Sequence, residues 1–178
     1  MRVLLMCMIV LGLVPCVQGQ TPIYLDPQDG DVDICEDSVY CAEVWIGAAT
    51  DIKGYSVEMV FRPDHMALLY VQSGDIFSSA GHGFAFYDDV RAGAVYDTVA
   101  VDASDLTGTV SGPGHLFTLC FGPPWECGAV TPLAFTLALV RDSNNMPIEI
   151  STTDGTVTIS CPTAVDASTW GGIKALYR

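Results

Sequence analysis

Three histidines, a run of carboxylates and a set of cysteines are the residues of this chain whose types could carry chemistry. His65, His82 and His115 fall in turns or at strand starts, and their spacing matches no metal-ligand set. In DPQDGDVD, Asp26, Asp29, Asp31 and Asp33 have the carboxylate density of a loop that would offer hard oxygen ligands to Ca²⁺. The EF-hand template misses at its first position: with Gly30 as the turn glycine, that position is Leu25, which has no side-chain oxygen. A solvated acidic loop accounts for the same residues. The chain has no G-x-S-x-G elbow to expose a nucleophilic serine, and the expectation is a protein that is not an enzyme.

Cys7 and Cys16 sit in an apolar leader, leaving Cys35, Cys41, Cys120, Cys127 and Cys161 for the rest of the chain. Neither short spacing is C-x-x-C, so disulfides outrank a zinc site. Proximity suggests Cys35 with Cys41 and Cys120 with Cys127 as local staples, and Cys161 unpaired, although sequence alone does not fix connectivity.

The leader has Arg2 ahead of an apolar run from Val3 to Val14, then Pro15 and the small Gly19. That is the layout of a secretory signal peptide over 1–19, and it implies a secreted or cell-surface protein in an oxidising compartment. The run falls short of the roughly 20 apolar residues that span a bilayer as a helix. The formal net charge is -14. Nucleic acid is excluded as a partner, because phosphate binding needs a basic face; acidic excess suits solubility, cation binding or a basic partner.

These residues must be positioned by strands. After an acidic lead-in loop, 20–37, VYCAEVWI alternates apolar and polar side chains, and GYSVEMVF does the same before Arg62, Pro63 and Asp64 stop it. MALLYV, FAFYDDV, AVYDTVAVDA, HLFTLCF, PLAFTLALV and GTVTIS follow, separated by turn residues, and no long helix is predicted. About eight short strands at near-regular spacing predict an all-β, two-sheet jelly-roll sandwich over 38–160 with one shared core.

The order of these segments resembles the cohesin domain. DIKGYSVEMVFRPDHMALLYVQSGDIF, 51–77, is similar to that family's apolar strand, D-P turn, short strand and G-D step, with the D-P altered to Arg62, Pro63 and Asp64. SGPGHLFTLCF, 111–121, looks like its small-residue turn into a strand ending in Phe, and DGTVTI, 154–159, like its last strand. The resemblance implies a nine-stranded jelly-roll sandwich and a non-catalytic module that binds a dockerin-like protein through one sheet. It places GYSVEMVF, FAFYDDV, AVYDTVAVDA and HLFTLCF in that sheet. Alternation within those strands then offers Glu58, Tyr87, Asp88, Tyr96, Thr98 and Asp102 as partner-binding positions; a slip of one residue would turn them to the other face.

The same fold is related to carbohydrate-binding modules, so a polysaccharide is the alternative partner, with Tyr87 the ring most suited to stack on a sugar. A structural cell-surface role is the third reading. The tail, 161–178, changes composition abruptly: Trp170, Ile173, Leu176 and Tyr177 stand at near-helical spacing beside Lys174 and Arg178. A sorting or recognition tag and a turn packed on the sandwich are both open there.

Overall fold

The computed structural model describes residues 19–33 and 39–161. Twelve strands run through them: β1 (Thr21–Asp26), β2 (Asp29–Asp33), β3 (Tyr40–Ile46), β4 (Gly54–Phe61), β5 (Ala67–Ser73), β6 (Phe84–Arg91), β7 (Asp97–Asp105), β8 (Gly114–Gly122), β9 (Val130–Arg141), β10 (Pro147–Ile148), β11 (Ile150–Thr153) and β12 (Gly155–Ser160). The only helical element among the described residues is a single 3₁₀ turn, Ser78–Ala80. One sheet has the order β11-β1-β3-β8-β5; the other runs β2-β12-β9-β4-β7-β6, with β10 added on β9. The protein is an all-β sandwich.

The twelve strands reduce to the expected nine by one device. Around Pro27 and Gln28 the chain leaves the first sheet as β1 and enters the second as β2, and around Asp154 β11 and β12 make the same crossing. The two split strands travel as a parallel pair, β1 on β11 and β2 on β12. Counting each as one strand and setting aside the two-residue β10 leaves nine. The crossings are tied together: Thr156 N donates to Gln28 O at 3.2 Å and Gln28 Nε2 to Asp154 O at 3.2 Å. Gly155 is required there, since a Cβ on it would lie 2.0 Å from the Gln28 carbonyl oxygen.

Strand alternation decides what is buried. In β4, Tyr55, Val57, Met59 and Phe61 point inward and are buried, while Ser56, Glu58 and Val60 alternate with them. Leu116, Phe117, Leu119 and Phe121 of β8 meet them from the other sheet. Phe61 and Phe121 pack edge to face at 5.3 Å, and Tyr55 stacks between Phe77 and Phe117. Tyr55 Oη donates to Leu116 O at 2.7 Å, a buried hydrogen bond that joins the sheets through the core. Burial, and then the charge of Asp102, pushes the Tyr55 phenol well above its ordinary pKa, so it stays a donor.

Two sequence expectations are corrected. The acidic segment is not a loop: β1 and β2 occupy most of its described part, because Ile23, Leu25, Gly30 and Val32 alternate into the core and carry their neighbours into strand geometry. The cysteines pair across the fold instead of along the chain. Cys41 and Cys120 are register partners on β3 and β8, with Cα atoms 4.1 Å apart, and they form a disulfide. Cys127 bonds Cys161, Cα to Cα 5.5 Å, tying the loop before β9 to the end of β12. Opposed side chains on adjacent strands approach more closely than residues joined by a wide loop, which is why spacing along the chain misled. Cys35 lies outside the described residues, as do residues 1–18, where the signal peptide is expected, and the tail beyond Cys161.

Candidate binding face

The outer face of the second sheet carries its side chains in rows set by register. Leu139, Ser56, Asp102 and Tyr87 stand side by side across β9, β4, β7 and β6; the next row is Leu137, Glu58, Ala100 and Asp89, and a third is Ala134, Val60, Thr98 and Arg91. Tyr87 is 63% exposed and Leu137 43%, so apolar surface is presented to solvent among carboxylates. Arg91 Nη2 donates to Glu58 Oε1 at 2.6 Å, diagonally across β7, and Arg91 Nε lies 3.8 Å from Asp89 Oδ2. The hydrogen bond to Glu58 holds the Arg91 guanidinium above its ordinary pKa. Ser56 Oγ donates to Asp102 Oδ1.

Beyond the Leu139 row lies a row without a large side chain at its centre: Gly54, Ser104 and Ala85, flanked by Arg141. The missing side chains leave a depression of about 520 Å³. Leu139 and Tyr87 bound it on one side. Arg141, whose Nη1 donates to Asn145 O at 3.0 Å, and Asp102 supply charge at its edge. An apolar side chain with a polar or basic neighbour is the group this shape and lining would receive.

No protein-family model and no curated protein matches the sequence. Solved structures do match. A non-cellulosomal cohesin from the archaeon Archaeoglobus fulgidus superposes with a TM-score of 0.59 at 17% identity, over 86% of this chain and 98% of that one. The fold is that of a cohesin. A type I cohesin–dockerin complex from Clostridium thermocellum gives 0.62 at 15% identity, over 79% and 99% of the two chains. A type I cohesin of Pseudobacteroides cellulosolvens gives 0.61 at 12%, over 83% and 96%.

Within this cohesin fold the expected partner-binding residues separate. Glu58, Tyr87, Thr98 and Asp102 share the outer face just described. Asp88 does not: it pairs with the buried Val101, so it faces the other side of β6, at the sheet edge. Tyr96 precedes β7 in a loop and is 41% exposed. HLFTLCF, expected in the same sheet, is β8 of the opposite one, since its inward residues meet β4 across the core and not along a shared edge. Alternation alone finds outward positions but not which sheet a strand joins. Arg91, Leu137 and Leu139 complete the face and were not read from the sequence; the apolar run PLAFTLALV hid its two outward leucines among core residues.

The four aspartates considered for calcium lie along strands. Asp29 Oδ1 accepts from Thr156 Oγ1 at 2.8 Å and Asp31 Oδ1 from Ser160 Oγ at 2.6 Å, while Asp26 ends β1 in the other sheet. Alternate residues of a strand stand roughly 6.6 Å apart, whereas the oxygens around one Ca²⁺ must converge to about 2.5 Å from it.

The histidines go to three separate places. His115 stacks on Trp45 at 5.3 Å and its Nε2 meets Thr118 Oγ1 at 3.0 Å, on the outer face of the first sheet. His82 Nδ1 pairs with Asp105 Oδ2 at 2.5 Å. Asp105, buried, also accepts through Oδ1 from Thr107 N, Thr107 Oγ1 and Gly108 N. Burial pushes the Asp105 carboxyl up, but the hydrogen bonds from His82, Thr107 and Gly108 outweigh it and hold it at about 2. The third, His65, meets carboxylates of two segments.

Proposed function

We propose that this chain is an exported, non-catalytic module that binds a protein partner of dockerin type through the outer face of β9, β4, β7 and β6. The observation that carries the reading is the pairing of exposed Tyr87 and Leu137 with the depression over Gly54, Ser104 and Ala85. A partner helix or loop could insert an apolar anchor there while its basic residues meet Glu58, Asp89 and Asp102. Buried aromatic and aliphatic anchors ringed by polar contacts are how stable interfaces concentrate their energy. A stable complex buries about 1,200–2,000 Å² in total, so the contact would extend over all three rows.

Two further observations support the reading. Several solved structures with this fold are cohesins in complex with dockerins. Two disulfides suit export to an oxidising compartment, consistent with a signal peptide over 1–19 and a mature chain starting at Gln20. On this face Glu58, Tyr87, Thr98 and Asp102 would be contacts; Asp88 and Tyr96 would act only at its margin.

The experiment is capture of partners from culture fluid and surface extract on purified 20–178, read by mass spectrometry, with Tyr87→Ala and Leu137→Asp chains in parallel. Saturable capture of one protein, lost with either substitution, supports the reading. Capture unaffected by both removes this face from it. Retention on insoluble polysaccharide with no protein partner would replace it.

A further inference from the structure

We propose that Asp64, His65 and Glu126 form a binding site for a divalent transition-metal ion of the zinc class. Asp64 and His65 lie in the turn between β4 and β5, and Glu126 in the loop before β9. Their ligand atoms all come within 4.8 Å of one another: His65 Nε2 is 3.1 Å from Glu126 Oε2 and 4.0 Å from Asp64 Oδ2. Zinc bonds to nitrogen and oxygen are about 2.0–2.2 Å long, which sets ligand atoms of a tetrahedron roughly 3.3–3.6 Å apart. The three atoms straddle that spacing. The two carboxylates are about half exposed, and Asp64 is held by Arg62, whose Nε donates to Asp64 Oδ1 at 3.0 Å.

The backbone is held for the purpose. Glu126 N donates to His65 O at 3.2 Å and His65 N to Arg62 O at 3.2 Å. Cys127, next to Glu126, is anchored by its disulfide to Cys161, and Trp125 packs on the core. His65 itself is 8% exposed, with Nε2 turned toward both carboxylates. One imidazole and two carboxylates suit zinc-class ions better than calcium, which takes six to eight oxygens.

The surroundings also set how tightly the ion is held. His65 Nδ1 is buried without a hydrogen-bond partner, while Nε2 lies 3.1 Å from Glu126 Oε2. A metal on Nε2 would require the ring proton on the unpaired Nδ1, a position that metal-ligating histidines normally support with an acceptor. Arg62 competes as well, with Nη2 2.5 Å from Asp64 Oδ2. The site is therefore open and exchangeable, with coordination positions left for water or a donor from another molecule, and a chelator should strip it.

The test uses full-length mature chain stripped with chelator and titrated with Co²⁺, whose visible absorption reports tetrahedral nitrogen and oxygen ligation. The expected result is a saturable band at one equivalent, displaced by Zn²⁺ and not by Ca²⁺. It should be abolished in His65→Gln and weakened at least about tenfold in Glu126→Gln, since even loss of an outer-shell partner costs that much. Glu126 is exposed, so its variant decides the matter if His65→Gln does not fold. Absence of a saturable band, or a band equally strong in the Glu126→Gln chain, overturns the proposal.

Discussion

Arg91 on β6 reaches diagonally across β7 to Glu58 on β4, from the row of Thr98 to the row of Ala100, so one ion pair spans three strands of the outer face. It places the Arg91 guanidinium beside Glu58 and Asp89 and leaves Asp102, which accepts from Ser56 Oγ, as the carboxylate of the three rows that lines the depression.

An acidic contact face steers a basic partner, and steering weakens with salt because the Debye length falls from about 10 Å at 0.1 M to about 3 Å at 1 M. Association of the captured partner should slow as ionic strength rises, and Asp102→Lys should slow it further, both measured by surface plasmon resonance. An association rate indifferent to salt would place the contact elsewhere. Glu58→Gln should leave the melting temperature unchanged, since exposed ion pairs contribute little to stability.

Asp105 makes a pH prediction whose sign is fixed. Its folded pKa of about 2 lies below the ordinary carboxylate value, so protonation is harder in the folded state. The stability it contributes is fully present above about pH 4, the unfolded value, and is lost as pH falls toward 2. Urea denaturation from pH 5 to pH 2 should show this slope. Asp105→Asn should flatten it and lower stability at neutral pH, because His82 loses an ionised partner.

Much of the sandwich was legible in the sequence. GYSVEMVF and VYCAEVWI alternate cleanly, and alternation is the direct record of a strand with one face in a core. The split strands were not legible. DPQDGDVD contains only Gly30 and Val32 as inward residues, and the flanking aspartates look like a loop unless the parallel partner GTVTIS is known. The candidate face was read half-way: Glu58, Tyr87, Thr98 and Asp102 follow from alternation together with the family resemblance, while Arg91, Leu137 and Leu139 depend on which strands are neighbours. His65 and Glu126 are far apart in the chain, so their meeting is a property of the fold alone.

Gly155 gives a test of the crossing. An added methyl group would meet a backbone oxygen, which cannot swing aside as a side chain can. Gly155→Ala should therefore destabilise the protein by about 1–3 kcal/mol, the usual cost of overpacking, read as a lower urea midpoint. An unchanged midpoint would mean that the two split strands are not locked where Gln28 meets Gly155.

The Cys41–Cys120 bond closes a long loop, with a sequence separation of 79, between residues already opposed in register. Such a bond acts mainly on the unfolded chain, and the loop-closure relation gives roughly 4–5 kcal/mol for a loop of this size. The double variant Cys41→Ala, Cys120→Ala should keep the native near-ultraviolet circular dichroism, because the β3–β8 ladder remains, yet unfold at markedly lower urea. Peptide mapping without reduction should recover Cys41 with Cys120 and Cys127 with Cys161. A peptide joining Cys35 to Cys41 would instead restore the local pairing and remove the inter-strand bond from the account of stability.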